Sequence, residues 1–397
     1  MTHPSADDPV LNDAAPDNTE PDNTGPDNAR PDRAGPDGAG PAGRAVTLDW
    51  TEMLDWLDVG QLGLRPTGDP LVPLVFVDLD ASPARAGPGE LAALARAVTE
   101  SHRVMVGLTE RAVPAGLAPL ADALACTLVS GTGTRLPPAQ VAVPDLGLAS
   151  RALAANVAAS PKAAAILVDL LRLTSDAPAQ DGLVAESLAY SMLLAGPEFA
   201  RWRARQPKRP LRPVPDPAVL VERVDDELRV TLNHPARHNC FSRQIRDGLV
   251  EAFDLALLDR SIGRIRLAGL GRSFCSGGDL DEFGTATDVT AAHLIRLDRS
   301  VAARADRCRG RLRAVLHGAC IGAGIEIPSF AGRIEARDDA FFQLPELTMG
   351  LVPGAGGTVG ITRRIGRWRT AYLVLSGVRL DLVTALAWGL VDAQAVD

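Results

Sequence analysis

The chain has 397 residues, 46% of them hydrophobic and only 4% aromatic, with a formal net charge of −8; that length allows two or three ordinary domains and a sizeable buried core. The charge is uneven: residues 1–44 hold eight Asp, one Glu and three Arg, and the remainder is close to neutral, without the basic stripe of a nucleic-acid binder. No basic segment followed by an apolar stretch opens the chain and no apolar run long enough to span a bilayer occurs, so neither a signal peptide nor a membrane helix is expected and a cytoplasmic location follows.

In chain order, residues 1–45 form a low-complexity tail in which Pro-Asp recurs every five residues from Pro16-Asp17 to Pro36-Asp37. Proline at that period blocks helix and strand ladders, and little apolar surface is available to bury, so the tail is expected to be disordered. Residues 46–62 place Leu48, Trp50, Met53, Leu54, Trp56 and Leu57 at spacings that predict a short amphipathic helix. Leu74 to Val77 predicts a buried strand, Gly89 to Ser101 a helix, Arg103 to Leu108 a strand, and Leu117 to Val129 a helix or a helix followed by a strand. That succession predicts a parallel α/β layer over 46–147. Residues 148–207 read as helices over Leu148 to Ala159, Pro161 to Leu173, Gly182 to Leu194 and Glu198 to Arg205, with Ser160 a candidate N-cap before Pro161. Residues 208–217 close a stretch with five prolines in twelve residues and read as a linker.

Strand-helix alternation restarts over 218–397, and its turns carry the chemistry. Strand 228–232 leads to Asn233-His234-Pro235-Ala236-Arg237-His238-Asn239-Cys240-Phe241-Ser242 and a helix. Strand 265–270 leads to Ser273-Phe274-Cys275-Ser276-Gly277-Gly278-Asp279. Strand 313–316 leads to His317-Gly318-Ala319-Cys320-Ile321-Gly322-Ala323-Gly324-Ile325-Glu326, and Gln343-Leu344-Pro345-Glu346 and Pro353-Gly354-Ala355-Gly356-Gly357-Thr358 follow. Each turn alone means no more than close packing or a positive φ. A thioester enolate, however, needs two hydrogen-bond donors aimed at one oxygen, and backbone N–H groups at tight glycine turns are rigid, polarised donors. Two carboxylates flanking one cavity are what addition of water across an activated double bond requires. The five cysteines (Cys126, Cys240, Cys275, Cys308, Cys320) form no CxxC pair and the histidines are scattered, so reduced thiols and no metal site are expected.

The order and spacing of these five elements resemble the enoyl-CoA hydratase/isomerase (crotonase) superfamily. The resemblance implies an α/β fold with a crotonase-like ββα spiral over 218–397. It implies an oxyanion hole from the N–H groups of Gly278 and Ala323, and catalytic glutamates at Glu326 and Glu346, twenty residues apart. Arg237, His238, Cys240, Ser276, Gly277, Asp279, Gly322, Pro353 and Gly354 become candidate substrate-binding residues, with Arg237 and His238 near the CoA nucleotide. The implied substrate is an acyl-CoA thioester, with coenzyme A present only as part of that substrate and no separate cofactor. Retention of both glutamates favours a hydratase-type lyase; isomerisation, thioester hydrolysis and non-catalytic acyl-CoA binding are the alternatives. A homo-oligomer, trimer or hexamer, is typical of the family, and no nucleic-acid or membrane partner is implied. Gly332 stands where the family has Asp, and no lysine follows Asp279, which puts local packing and one CoA contact in doubt. The resemblance ends with the chain, at the family's GLVD turn (Gly389 to Asp392), whereas crotonases continue into covering helices. Residues 148–207 resemble that helical tail, through Ser160-Pro161, Gly182-Leu183-Val184-Ala185-Glu186 and Glu198-Phe199-Ala200-Arg201-Trp202. A permuted arrangement is therefore expected, with a degenerate crotonase-like unit over 46–147; an unrelated α/β domain is the other possibility.

Overall fold

The computed structural model describes residues 45–50, 52–53, 63–80, 87–133, 135–207 and 213–395, all within one compact unit. The Pro-Asp tail up to residue 44, residues 54–62 of the expected first helix and the first half of the linker lie outside the described residues. Among the described residues no single helix is long and apolar enough to cross a membrane.

The first layer is a five-stranded, wholly parallel sheet in sequential order: β1 (Val46–Asp49), β2 (Val75–Asp78), β3 (Met105–Thr109), β4 (Cys126–Ser130) and β5 (Gln140–Val143). The start of the expected helix at Val46 is instead a strand. Val46 pairs with Val75 and Leu48 with Val77, and the β-branched Val46 and Thr47 suit a pleated, fully buried position, so tertiary pairing overrides the local period. The two-residue side-chain alternation divides this sheet between two cores. Val75, Val77 and Met105 face α1 (Pro88–Glu100) and α2 (Ala118–Ala123), whereas Phe76, Val106, Leu108 and Leu128 join the main core of the molecule.

That main core is shared with four helices, α3 (Leu146–Ala159), α4 (Pro161–Thr174), α5 (Ala179–Leu194) and α6 (Pro197–Arg205). Ser160 stands at the N-cap of α4 as expected, but its side chain makes no capping bond. The buried carboxylate of Glu198 takes that role from another helix, accepting from the N–H groups of Lys162 at 2.9 Å and Ala163 at 3.0 Å. A full carboxylate is the stronger acceptor for the partial positive charge of a helix N-terminus, and it ties α6 to α4.

The second half coils through two sheets. The larger runs β14 (Ala393–Gln394), β11 (Arg333–Ala336), β9 (Leu312–Leu316), β8 (Arg264–Gly269), β7 (Glu227–Leu232) and β6 (Val219–Val224), parallel except for the β6–β7 hairpin. The smaller contains β10 (Ala319–Ile321), β12 (Phe341–Gln343) and β13 (Leu380–Asp381). The chain passes from the large sheet to the small one at β9–β10 and again at β11–β12, and isolated bridges extend the same ladder: Phe241 beside Gly278, and Cys275 beside Cys320. Each coil thus gives one long and one short strand, the ββα spiral expected over 218–397. The helices α7 (Arg243–Leu258), α8 (Val289–Asp298), α9 (Val301–Cys308), the single turn α10 (Ala323–Glu326), α11 (Gly357–Ser376, kinked at Gly366) and α12 (Leu382–Trp388) complete it. All five cysteines are buried and unpaired.

The halves are interlocked. Helix α4 packs along α11, and Gly182 on α5 lets Val359 approach to where a Cβ would be 2.7 Å away. Asn156 donates to the carbonyls of Leu375 and Ser376 at the end of α11, and Thr174 Oγ1 donates to the Thr358 carbonyl at its start.

Candidate active site

The sequence turns converge because the ladder holds them side by side. Cys275 N–H donates to the Ala319 carbonyl and Ile321 N–H to the Cys275 carbonyl, which brings the Gly277-Gly278 turn against the Ile321-Gly322 turn. Only glycine satisfies Gly322: its φ is +50°, and a Cβ there would lie 2.8 Å from Glu346 Oε1 and 3.7 Å from Glu326 Oε1. The two carboxyls therefore converge on one point that a side chain would fill. The N–H groups of Gly278 and Ala323 donate to no acceptor among the described residues, and both residues line a cavity of about 730 Å³ together with Glu326 and Glu346.

Glu326 is held from one side. Its Oε2 accepts from Ala355 N–H at 2.7 Å and Gly357 N–H at 3.0 Å. Glu346, in the turn after β12, is also buried, and its Oε2 has no hydrogen-bond partner. Burial raises both carboxyls, Glu326 to about 7 against the pull of its backbone donors, and Glu346 well above the usual range with the Glu326 charge adding to the effect. Neither is a surface glutamate, and Glu326 can hold or release a proton near neutrality.

Of the other candidate residues, Ser276, Gly277, Asp279, Gly322 and Gly354 line the cavity, and Arg237, His238, Cys240 and Pro353 do not. Arg237 is committed within the protein: it donates to both carboxylate oxygens of Asp279 at 2.9 Å and to Asp281 at 2.8 Å, fixing the Gly277-Gly278 turn from behind. His238 Nδ1 is 3.0 Å from Ser273 Oγ, Cys240 is buried with its thiol pushed up to about 12, and Pro353 packs beside Gly357. The arginines that do line the cavity are Arg243, Arg246 and Arg296.

Residues from the first half complete the site. Tyr190, Phe199 and Trp202, from α5 and α6, form part of the cavity wall, and the Phe199 and Trp202 rings stack at 5.6 Å with Phe283 adjoining. Glu186 on α5 is buried and accepts from Gly356 N–H at 2.7 Å, Thr358 N–H at 2.9 Å and Thr358 Oγ1 at 2.7 Å. Glu326 and Glu186 thus grip alternate amides of one turn, 355 and 357 against 356 and 358, at the N-terminus of α11. The sequence signal for Glu186 was a carboxylate among the buried positions of a helix, beside Gly182 and Leu183. Burial raises Glu186 to about 8, and the Glu326 charge adds to it.

A carboxyl that keeps its proton to about 8 when folded, against an ordinary 4.5, makes the folded chain the better proton binder, so stability falls as pH rises between those values. Glu186→Gln removes that titration. It is expected to lessen the loss of stability between about pH 5 and about pH 8 by roughly 1–3 kcal/mol, read from urea unfolding at both pH values. An unchanged pH dependence would take Glu186 out of the coupled set.

The enoyl-CoA hydratase/isomerase family model matches residues 227–396. Among curated relatives, the 2,3-dehydroadipyl-CoA hydratase of Escherichia coli (strain K12) is 34% identical over 174 residues, 44% of this chain and 68% of that protein. A probable enoyl-CoA hydratase of Mycobacterium tuberculosis is 31% identical over 176 residues, 44% of this chain and 67% of its own length. Among solved structures, an enoyl-CoA hydratase from Thermoplasma volcanium GSS1 matches at 30% identity and a TM-score of 0.42, covering 46% of this chain and 73% of that one. The chain belongs to the enoyl-CoA hydratase/isomerase (crotonase) family.

Proposed function

We propose that this protein adds water across the 2,3-double bond of an enoyl-CoA thioester. The thioester oxygen sits between the N–H groups of Gly278 and Ala323, which hold the negative charge that builds on it as water adds at C3. Of the two carboxyls, one takes a proton from the attacking water and the other delivers a proton to C2, so the product is the 3-hydroxyacyl thioester. The observation that carries this reading is the convergence of two unengaged amide donors and two buried carboxyls on one cavity. The relatives named as enoyl-CoA hydratases support the same reaction type. Incubation of the full chain with trans-2-enoyl-CoA thioesters of graded length, followed by mass spectrometry, is expected to give products heavier by one water. A shifted double bond with no mass change supports isomerisation instead, and free coenzyme A supports hydrolysis; no change with any thioester removes the enzymatic reading.

We also infer that α3–α6 act as a permuted cover for the catalytic spiral. Three observations support it: the Glu186 grip on the Gly356–Thr358 turn, the aromatic wall from α5 and α6, and the approach of α6 to the Glu346 turn at Gly350.

A further inference from the structure

The three arginines that line the cavity differ in what holds them. Arg243, at the start of α7, pairs with Glu282 and is largely exposed, and Arg246 lies against Asp247. Arg296, on α8, has no carboxylate partner among the described residues. Its Nε donates to Ser187 Oγ at 3.2 Å, its Nη2 donates to Ser191 Oγ, and its guanidinium lies over the Tyr190 ring at 4.9 Å from the centre. These partners sit on α5 at three- and four-residue spacing, on one helix face, and all are neutral. Its Nη1 has no partner among the described residues.

A half-buried guanidinium held by hydroxyls and an aromatic face is positioned but not neutralised, and burying a charge without a counter-charge is unfavourable. The acids around it are committed elsewhere. Glu186 is engaged by Gly356 and Thr358, Asp288 caps the first turn of α8, and Asp298 is exposed beside Arg299. Burial lowers the Arg296 pKa from its usual range, with the Tyr190 and Glu186 charges pulling the other way. The Tyr190 ring beneath Arg296 also abuts Gly354, next to the Ala355 amide that holds Glu326. Arg296 therefore lines the same cavity as the carboxyl pair and is joined to it through the Tyr190 ring and the Gly354-Ala355 turn. With the thioester oxygen assigned to the Gly278 and Ala323 amides, Arg296 is left to another part of the acyl group.

We propose that Arg296 makes the cavity selective for acyl-CoA thioesters whose acyl chain carries a second carboxylate remote from the thioester, which the guanidinium receives as an ion pair. The proposal rests on the acyl-CoA reading above. It adds the substrate class and the residue that sets it.

The test is titration calorimetry of the full chain with two saturated acyl-CoA thioesters of equal length, one ending in a carboxylate and the other in a primary carboxamide. The wild-type chain is expected to prefer the carboxylate by about tenfold or more, as for a charge-assisted hydrogen bond in a partly desolvated site. Arg296→Gln is expected to bring the ratio of affinities close to one, and Arg296→Lys to keep part of it. Equal binding of the two thioesters by the wild-type chain overturns the proposal without any variant, and so does a preference that survives in Arg296→Gln. The 2-enoyl forms of the same pair separate this proposal from the functional reading. Hydration with no preference for the carboxylate removes the proposal and leaves the reading. A binding preference without hydration leaves the proposal and removes the reading.

Discussion

Glu346→Gln is expected to lower kcat for enoyl-CoA hydration by roughly 10²–10⁴, the range lost when a positioned acid-base group is removed. KM is expected to change far less, because the amides proposed to hold the thioester oxygen lie on other turns. The two glutamates differ in a way that makes Glu346 the sharper probe. Glu326 spends one oxygen on the Ala355 and Gly357 amides, so its substitution disturbs the turn as well as the chemistry. Glu346 leaves Oε2 buried and without a hydrogen-bond partner among the described residues, so its substitution breaks no bond at that oxygen. Its carboxyl, held well above the usual range by burial and by Glu326, costs stability when it ionises. An isosteric amide does not ionise, so the variant is expected to melt no lower than wild type while losing turnover. Stopped-time assays with an enoyl-CoA and a thermal melt on the same preparation read both effects. Wild-type turnover in Glu346→Gln rules out the proposed role, and a large drop in melting temperature reassigns Glu346 to structure.

The glycine turns were legible because their geometry is local. A positive φ, as at Gly277 and Gly322, is a constraint that a single position must satisfy, and the order of such positions marks the spiral. The helices of 146–205 were legible for a similar reason, since their apolar period is contained in each segment. What escaped the sequence depends on pairing across long separations. Val46 reads as the start of a helix until Val75 supplies a strand partner. Arg237 reads as a free cation near the substrate until Asp279 and Asp281 engage it. Glu186 is 170 residues from the Gly356 amide it binds, and its own segment does not specify that partner. The reaction centre is thus written in turns, whereas its supports are written in contacts.

The second large effect follows from those contacts: a fragment beginning at residue 213 is expected neither to fold stably nor to turn over substrate. Removing the first half would leave the Gly356 and Thr358 amides and the Thr358 hydroxyl without the Glu186 acceptor. Turned to solvent instead, each donor loses the net worth of an intramolecular hydrogen bond, about 0.5–1.5 kcal/mol. Buried α4 side chains such as Leu167, Val168 and Leu171 share the main core with Val359 and Ile361 of α11. Exposing apolar surface of that kind costs about 1.5–3 kcal/mol for each large side chain. Together these losses are of the order of the roughly 5–15 kcal/mol by which a domain is ordinarily stable. The damage would also be directed at the site. The turn gripped by Glu326 would lose its second carboxylate, and the Glu346 turn would lose α6, whose Phe199 backbone packs where a Cβ at Gly350 would lie 2.8 Å away. Circular dichroism and enoyl-CoA turnover of the fragment, alone and mixed with residues 45–207, measure both consequences. Recovery of structure and activity on mixing locates the missing contribution in the first half. A fragment that folds alone with full turnover would show that the spiral needs no cover from it. Glu186→Ala in the full chain is the finer version of the same experiment, and it is expected to lower stability and turnover together because one carboxylate supports both α11 and the turn that positions Glu326.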